Sequence, residues 1–218
     1  MIRILISCAM IFSITAGCTQ NNGGNTSMAK KALIAFGVQT EQARLQNQRF
    51  AQLVKAGAPT MTFGVENTGT VRRAVADTTR AGIQTWLING GSFSTQDGFL
   101  RSTRGAGDDL MAADIEQTRA MVLGLRAGQA TRTMAYVGAE DAIETLSFDC
   151  EITKRGAREI SINGAKIMTT LMAEDCGGSK GTFGNLYWVM NATGQMVQSR
   201  QWGSNLIGPI VMRIDPNQ

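Results

Sequence analysis

The chain has 218 residues, 43% hydrophobic and 17% charged, with a formal net charge of only +4. This is an ordinary globular composition, long enough to bury a real core, and its scattered Lys and Arg form no stripe of the kind nucleic acid requires. Histidine is absent, which excludes a Ser-His-Asp triad, a Cys-His pair and every His-ligated metal site.

Residues 1–17 read as a secretory signal. Arg3 gives a short positive start, and Ile4 to Ile14 is an apolar run too short to span a bilayer as a stable helix. Ala16-Gly17-Cys18 then resembles a bacterial lipobox, with Thr15 in place of the usual apolar residue. The expectation is that Cys18 is acylated, palmitate being among the chains it would carry, and becomes the first mature residue. Cleavage nearby with a free Cys18 is the alternative. Residues 18–30 are polar and Gly-rich, as a flexible tether would be. Thr19 after the cysteine, rather than Asp, directs the expectation to the outer membrane. Residues 31–218 are expected to form one domain.

Within that domain, Ala32 to Phe36 is a short apolar segment. Thr40 can cap a helix over 41–56, in which Leu45, Phe50, Leu53 and Val54 recur near helical spacing and Gly57 can end the run. Strand patterns follow at 60–65, 70–79, 83–88, 92–95 and 98–103, separated by turn signals that include Asn89-Gly90 and Asp97-Gly98. Thr118 to Leu125 and Ala130 to Val137 read as further strands. Ile143 to Thr153 and Ala157 to Ile162 read as a hairpin across Lys154-Arg155-Gly156, and Asn163-Gly164 opens another whose return strand is 165–174. Asp175 to Thr182 reads as a Gly-rich loop. An aromatic hairpin over 183–202 follows, turning at Asn191-Ala192-Thr193-Gly194, and 209–214 is the last strand. About a dozen strands at such short spacings imply a mainly-β chain: an antiparallel sandwich or barrel with one short N-terminal helix.

Two cysteines remain in the exported domain, Cys150 and Cys176. Export favours a disulfide between them; two buried free thiols are the alternative. No Cys-x-x-Cys is present, so redox catalysis is not supported.

Thr103-Arg104-Gly105-Ala106-Gly107-Asp108-Asp109-Leu110 contains Gly-x-Gly, but its two carboxylates would repel phosphate and no helical pattern opens after it. A turn held by Asp side chains and an Arg104–Asp pair is the plain reading. The carboxylates Asp108, Asp109, Glu140, Asp141, Glu144, Glu174 and Asp175 are the candidates for glycoside hydrolysis, yet no spacing brings two of them to the separations that reaction needs. Tyr187, Trp188, Arg200, Gln201 and Trp202 combine aromatic faces with planar polar groups, which suits stacking on sugars and equally suits a protein interface or a core.

The run Asn185-Leu186-Tyr187-Trp188-Val189, then Thr193-Gly194, then Ser199-Arg200-Gln201-Trp202 and Pro209, together with residues 103–110 and the Cys18 segment, resembles the YjbF/GfcB-type lipoproteins of group 4 capsule and related exopolysaccharides. After Trp202 the segment 203–208 departs from that pattern. The resemblance implies a mostly-β lipoprotein assisting production or export of surface polysaccharide, anchored by lipid at the periplasmic face of the outer membrane. Its expected partners are surface polysaccharide or other secretion proteins. It carries over no enzymatic activity or catalytic residue; no cofactor, metal or nucleic-acid partner is expected. Candidate binding residues are Tyr187, Trp188, Arg200, Gln201, Trp202, Arg104, Asp108 and Asp109. An envelope enzyme acting on glycans through Asp/Glu, and a purely structural envelope lipoprotein, are the alternatives.

Overall fold

The computed structural model describes residues 41–106, 108–137 and 142–214. The signal, the tether with Cys18, the 32–36 segment, Gly107, Glu140 and Asp141 lie outside the described residues.

Helix α1 (Glu41–Lys55) ends where the sequence predicts. Gly57 takes φ +72°, its N–H donating to the Val54 carbonyl and the Ala58 N–H to that of Leu53. This closes a Schellman turn that only a left-handed residue permits cheaply. No residue of α1 is buried; it rests on the sheet through an Arg49–Asp77 ion pair of 3.0 Å and a hydrogen bond from Gln46 to the Gly91 carbonyl.

Twelve strands follow: β1 (Thr60–Val65), β2 (Thr70–Arg80), β3 (Ile83–Ile88), β4 (Gly91–Gln96), β5 (Phe99–Arg104), β6 (Leu110–Asp114), β7 (Gly128–Val137), β8 (Ile143–Ile162), β9 (Ala165–Gly178), β10 (Gly181–Met190), β11 (Met196–Ser204) and β12 (Gly208–Ile214). They form one antiparallel sheet in the order β5-β4-β3-β2-β1-β12-β11-β10-β9-β8-β7-β6. Sequence neighbours pair throughout except at β5/β6, and β1 pairs with β12 from Met61↔Ile214 to Val65↔Ile210. The result is a nearly closed, barrel-like meander, as the strand pattern implies. The two-residue turns Ala81-Gly82, Asp97-Gly98 and Asn163-Gly164 have positive φ at both positions, the geometry that matches the twist of a hairpin.

Side chains bridge the gap between the sheet's two free edges. The Leu110 N–H donates to Thr103 Oγ1 at 3.0 Å, and Arg104 Nη1 donates to the Leu110 carbonyl at 3.0 Å. From the far wall, Gln201 of β11 accepts the Leu100 N–H at 3.0 Å and donates to the Gly98 carbonyl at 2.8 Å. Opposite walls therefore touch, and the interior is a packed core rather than a lumen. Phe63, Phe93, Phe99, Ile152, Met172, Tyr187 and Ile210 are among its members. Among the described residues no helix is long and apolar enough to cross a membrane.

Four local expectations need correction. A second helix, α2 (Glu116–Leu123), stands where a strand was expected, and β6 precedes it. Residues 143–162 are one strand, not a hairpin. Gly156, at φ +90°, absorbs the turn-like Lys154-Arg155-Gly156 as a register shift in the β8–β9 ladder. Residues 175–182 are not a loop: β9 runs to Gly178 and β10 starts at Gly181. Arg104 pairs with no Asp among the described residues; its guanidinium donates to main-chain carbonyls, while Asp109 accepts the Gly105 and Ala106 N–H groups at 2.9 and 3.0 Å. The expected Asp-held turn is there.

Cys150 and Cys176 are directly paired across β8 and β9 and form a disulfide spanning 26 residues.

Candidate functional site

The β10–β11 hairpin pairs Leu186↔Arg200, Tyr187↔Ser199 and Trp188↔Gln198. Period-2 alternation then divides its side chains. Asn185, Tyr187, Val189, Ser199 and Gln201 are buried, whereas Leu186, Trp188, Gln198, Arg200 and Trp202 are half-buried. Of the predicted binding residues, Tyr187 and Gln201 thus spend their polar atoms inside the protein. Arg200 donates from Nε to Glu66 Oε1 at 2.8 Å and from Nη1 to the Gly184 carbonyl at 3.1 Å.

Beneath the hairpin lies a polar cluster wholly inside the barrel. Glu174 and Arg132, both with 0% side-chain exposure, form an ion pair of 3.0 Å. Glu174 Oε2 also accepts the Tyr187 hydroxyl and Asn185 Nδ2, each at 2.6 Å, and Oε1 accepts the Thr118 hydroxyl of α2 at 2.6 Å. The second helix thus supplies one of the four partners. Burial alone would raise the Glu174 carboxyl pKa, but the Arg132 charge and these hydrogen bonds hold it below the ordinary value. Burial and the adjacent Glu174 charge push the Tyr187 hydroxyl well above its ordinary value. Arg132 Nε and Nη2 have no hydrogen-bond partner among the described residues.

Glu174 was a candidate catalytic carboxylate, but the site it occupies is sealed from solvent and holds no second carboxylate among the described residues. Arg132 was missed. The available signal was alternation: Ala130, Arg132, Met134 and Tyr136 occupy successive inward positions on β7, as Met172, Glu174 and Cys176 do on β9. Two opposite charges at inward positions of strands with a single strand between them invite pairing.

Asn185 carries this cluster to the surface. Its Oδ1 accepts the Trp202 N–H at 2.7 Å. The Trp202 indole lies over the Phe183 ring, centroids 5.8 Å apart and planes at 10°, and Phe148 meets Phe183 edge-on at 4.9 Å. A Cβ on Gly178 would stand 2.7 Å from the Phe148 ring and 2.7 Å from the Ser147 carbonyl, so glycine there lets Phe148 close the stack. These rings line a small cleft of about 80 Å³ with Tyr136, Asp108, Glu144, Lys180, Thr182 and Asn205 on its walls. Glu144 and Lys180 form an ion pair of 3.0 Å, and the Tyr136 hydroxyl donates to the Gly203 carbonyl at 3.0 Å. An aromatic floor with charged, amide and hydroxyl groups at the rim can take the apolar face of a sugar ring and hydrogen-bond its hydroxyls.

The structure brings Trp202 and Asp108 together at this cleft. It does not bring Trp188, Arg200, Arg104 or Asp109 there; Asp109 holds its own turn. Phe148, Phe183 and Lys180 were not singled out, because their convergence depends on the β8–β9–β10 pairing.

The family model described as "Group 4 capsule polysaccharide lipoprotein gfcB, YjbF" matches residues 30–214. Among solved structures, the chain is similar to the hypothetical lipoprotein YmcC from Escherichia coli (K12). The TM-score is 0.64 at 20% identity, over 72% of this chain and 85% of that one, a likeness of fold. No curated protein matches the sequence at a significant level.

Proposed function

The chain belongs to the YjbF family of group 4 capsule polysaccharide lipoproteins, and from that membership we propose that it is a non-enzymatic accessory protein of capsule or exopolysaccharide export. In this reading a lipid on Cys18 holds it at the periplasmic face of the outer membrane, and the domain contacts the polysaccharide chain through the cleft at Trp202.

One observation carries the glycan contact: a half-buried indole stacked on Phe183, with its backbone tied by Asn185 to the buried Glu174–Arg132 pair. A ring held so firmly at the surface is organised in advance, which reduces the ordering cost of binding. The polar rim supplies the directional contacts.

The test is titration of the full chain, in neutral detergent, with surface polysaccharide purified from the producing cells. Trp202→Ala should weaken binding about tenfold or more in a protein that melts like wild type. Unchanged binding by that variant rejects the cleft. Binding absent in both, with capture of a secretion protein instead, rejects the glycan contact in favour of a protein partner.

A further inference from the structure

Directly paired residues on neighbouring strands share a face of the sheet. Arg73 pairs with Thr62, Thr62 with Arg213, Arg213 with Gln198 and Gln198 with Trp188. The neighbours Met61, Phe63, Ala74 and Met212 are core, so this row runs along the outer face of β2, β1, β12, β11 and β10.

The tip of the long β8–β9 hairpin reaches the same row. In the sheet, β9 stands four strand steps from β1, a lateral distance of about 19 Å at the usual strand spacing. Yet Ile162 and Asn163 at the tip line one cavity of about 390 Å³ with Thr60, Thr62, Arg73 and Arg213. The tip therefore folds across the outer face. Ile162 and Ile167 pack on Val197 of β11, an apolar anchor for the bend.

The groove beneath this overhang is basic. Arg72, Arg73 and Arg213 line it, and among the described residues no carboxylate does. Arg72 donates to the Asn89 carbonyl at 2.6 Å and Arg213 Nε to Gln198 Oε1 at 2.7 Å. Those acceptors are neutral, and none of the three arginines is in an ion pair among the described residues. Arg73 has no hydrogen-bond partner among them. Arg49, Arg119, Arg155 and Arg200, by contrast, each meet a carboxylate.

We propose that this groove binds the carboxylates of an acidic polysaccharide. A guanidinium is suited to bidentate contact with a carboxylate, and the Thr62 hydroxyl and Gln198 amide continue the row with groups suited to sugar hydroxyls. The overhanging tip makes the site concave, which admits a chain and obstructs a flat membrane surface. That the ligand is a polysaccharide rests on the function proposed above; its acidity rests on this groove.

The test is calorimetric titration of the full chain in neutral detergent with oligogalacturonate, with uncharged dextran oligosaccharide, and with phosphatidylglycerol dispersed in micelles of the same detergent. Oligogalacturonate should bind, more weakly as salt rises. The double variant Arg73→Gln/Arg213→Gln should weaken that binding about tenfold or more, whereas Arg80→Gln, an equal loss of charge elsewhere, should change it less than about twofold. Arg73→Gln alone removes no hydrogen bond or ion pair among the described residues, so it keeps the test valid should Arg213→Gln disturb the fold. Wild-type affinity in the Arg73 variants overturns the proposal. So does equal binding of dextran and oligogalacturonate, which leaves the Trp202 cleft standing. Arginine-dependent binding to the phosphatidylglycerol micelles without binding to oligogalacturonate assigns the groove to lipid and overturns it too.

Discussion

Asn185 accepts the backbone N–H of Trp202 at 2.7 Å, and its Nδ2 donates to the Glu174 carboxylate at 2.6 Å. One amide thus joins the buried charge pair to the half-buried ring. Asn185→Ala should cost about 1–3 kcal/mol, since it strands a buried donor and removes a bond to a charge, and should weaken glycan binding along with stability. Asn185→Asp should cost more, because it sets a second buried carboxylate against Glu174. Urea melts of the two variants rank them, and an Asp variant as stable as wild type would contradict this role.

The Glu174–Arg132 pair predicts an asymmetry. Glu174→Gln leaves the Arg132 charge buried without its counter-ion and should destabilise by about 3–5 kcal/mol. Tyr187→Phe leaves the pair intact and removes one of four bonds to the carboxylate, so about 1.5 kcal/mol is expected, the low end for a bond to a charged group. In thermal melts each kcal/mol is about 2–4 °C for a domain of this size. A Glu174→Gln loss no larger than that of Tyr187→Phe would show that the pair is not held as an ion pair.

The same cluster should limit stability at both ends of the pH scale. The Glu174 carboxyl is lowered in the folded state, so its contribution is complete above the unfolded pKa of about 4.3 and is lost as pH falls below that value. The Tyr187 hydroxyl is raised, so its contribution is complete below the unfolded pKa of about 10 and is lost as pH rises above it. Midpoints in urea across pH 3–11 should fall at both ends, and Tyr187→Phe should lessen the alkaline decline. An alkaline limb unaffected by that substitution would contradict the assignment.

The Cys150–Cys176 disulfide closes 26 residues, which gives about 3.5 kcal/mol of stabilisation in the chain-entropy model. The double Cys→Ala variant should melt about 7–14 °C lower. Because the bridge joins directly paired strands, the sheet register should survive its loss. An unchanged melting temperature would argue that the bridge is absent from the mature protein.

Most of the barrel was legible because its strands alternate cleanly and its turns carry Asn-Gly or Asp-Gly. What misled were glycines and a short helix. Gly156 looked like a hairpin turn and is a register shift; Gly177 and Gly178 looked like loop and are strand, with Phe148 packed where a side chain at Gly178 would stand. Helix α2 has only eight residues, two of them β-branched, and no side-chain hydrogen bond from its Ile115 cap. Tertiary contact, through the bond from Thr118 to Glu174, fixes it instead. Trp202 was visible as a candidate ring, but its stacking partner Phe183 and the buried Arg132 needed the strand pairing to be known.

The account turns on whether this protein serves surface polysaccharide through the Trp202 cleft. Surface polysaccharide should be quantified on cells lacking the gene and on the same cells carrying wild type or Trp202→Ala, with protein levels matched by immunoblot. The account predicts loss on deletion, restoration by wild type and failure of Trp202→Ala. Normal polysaccharide in the clean deletion would contradict it.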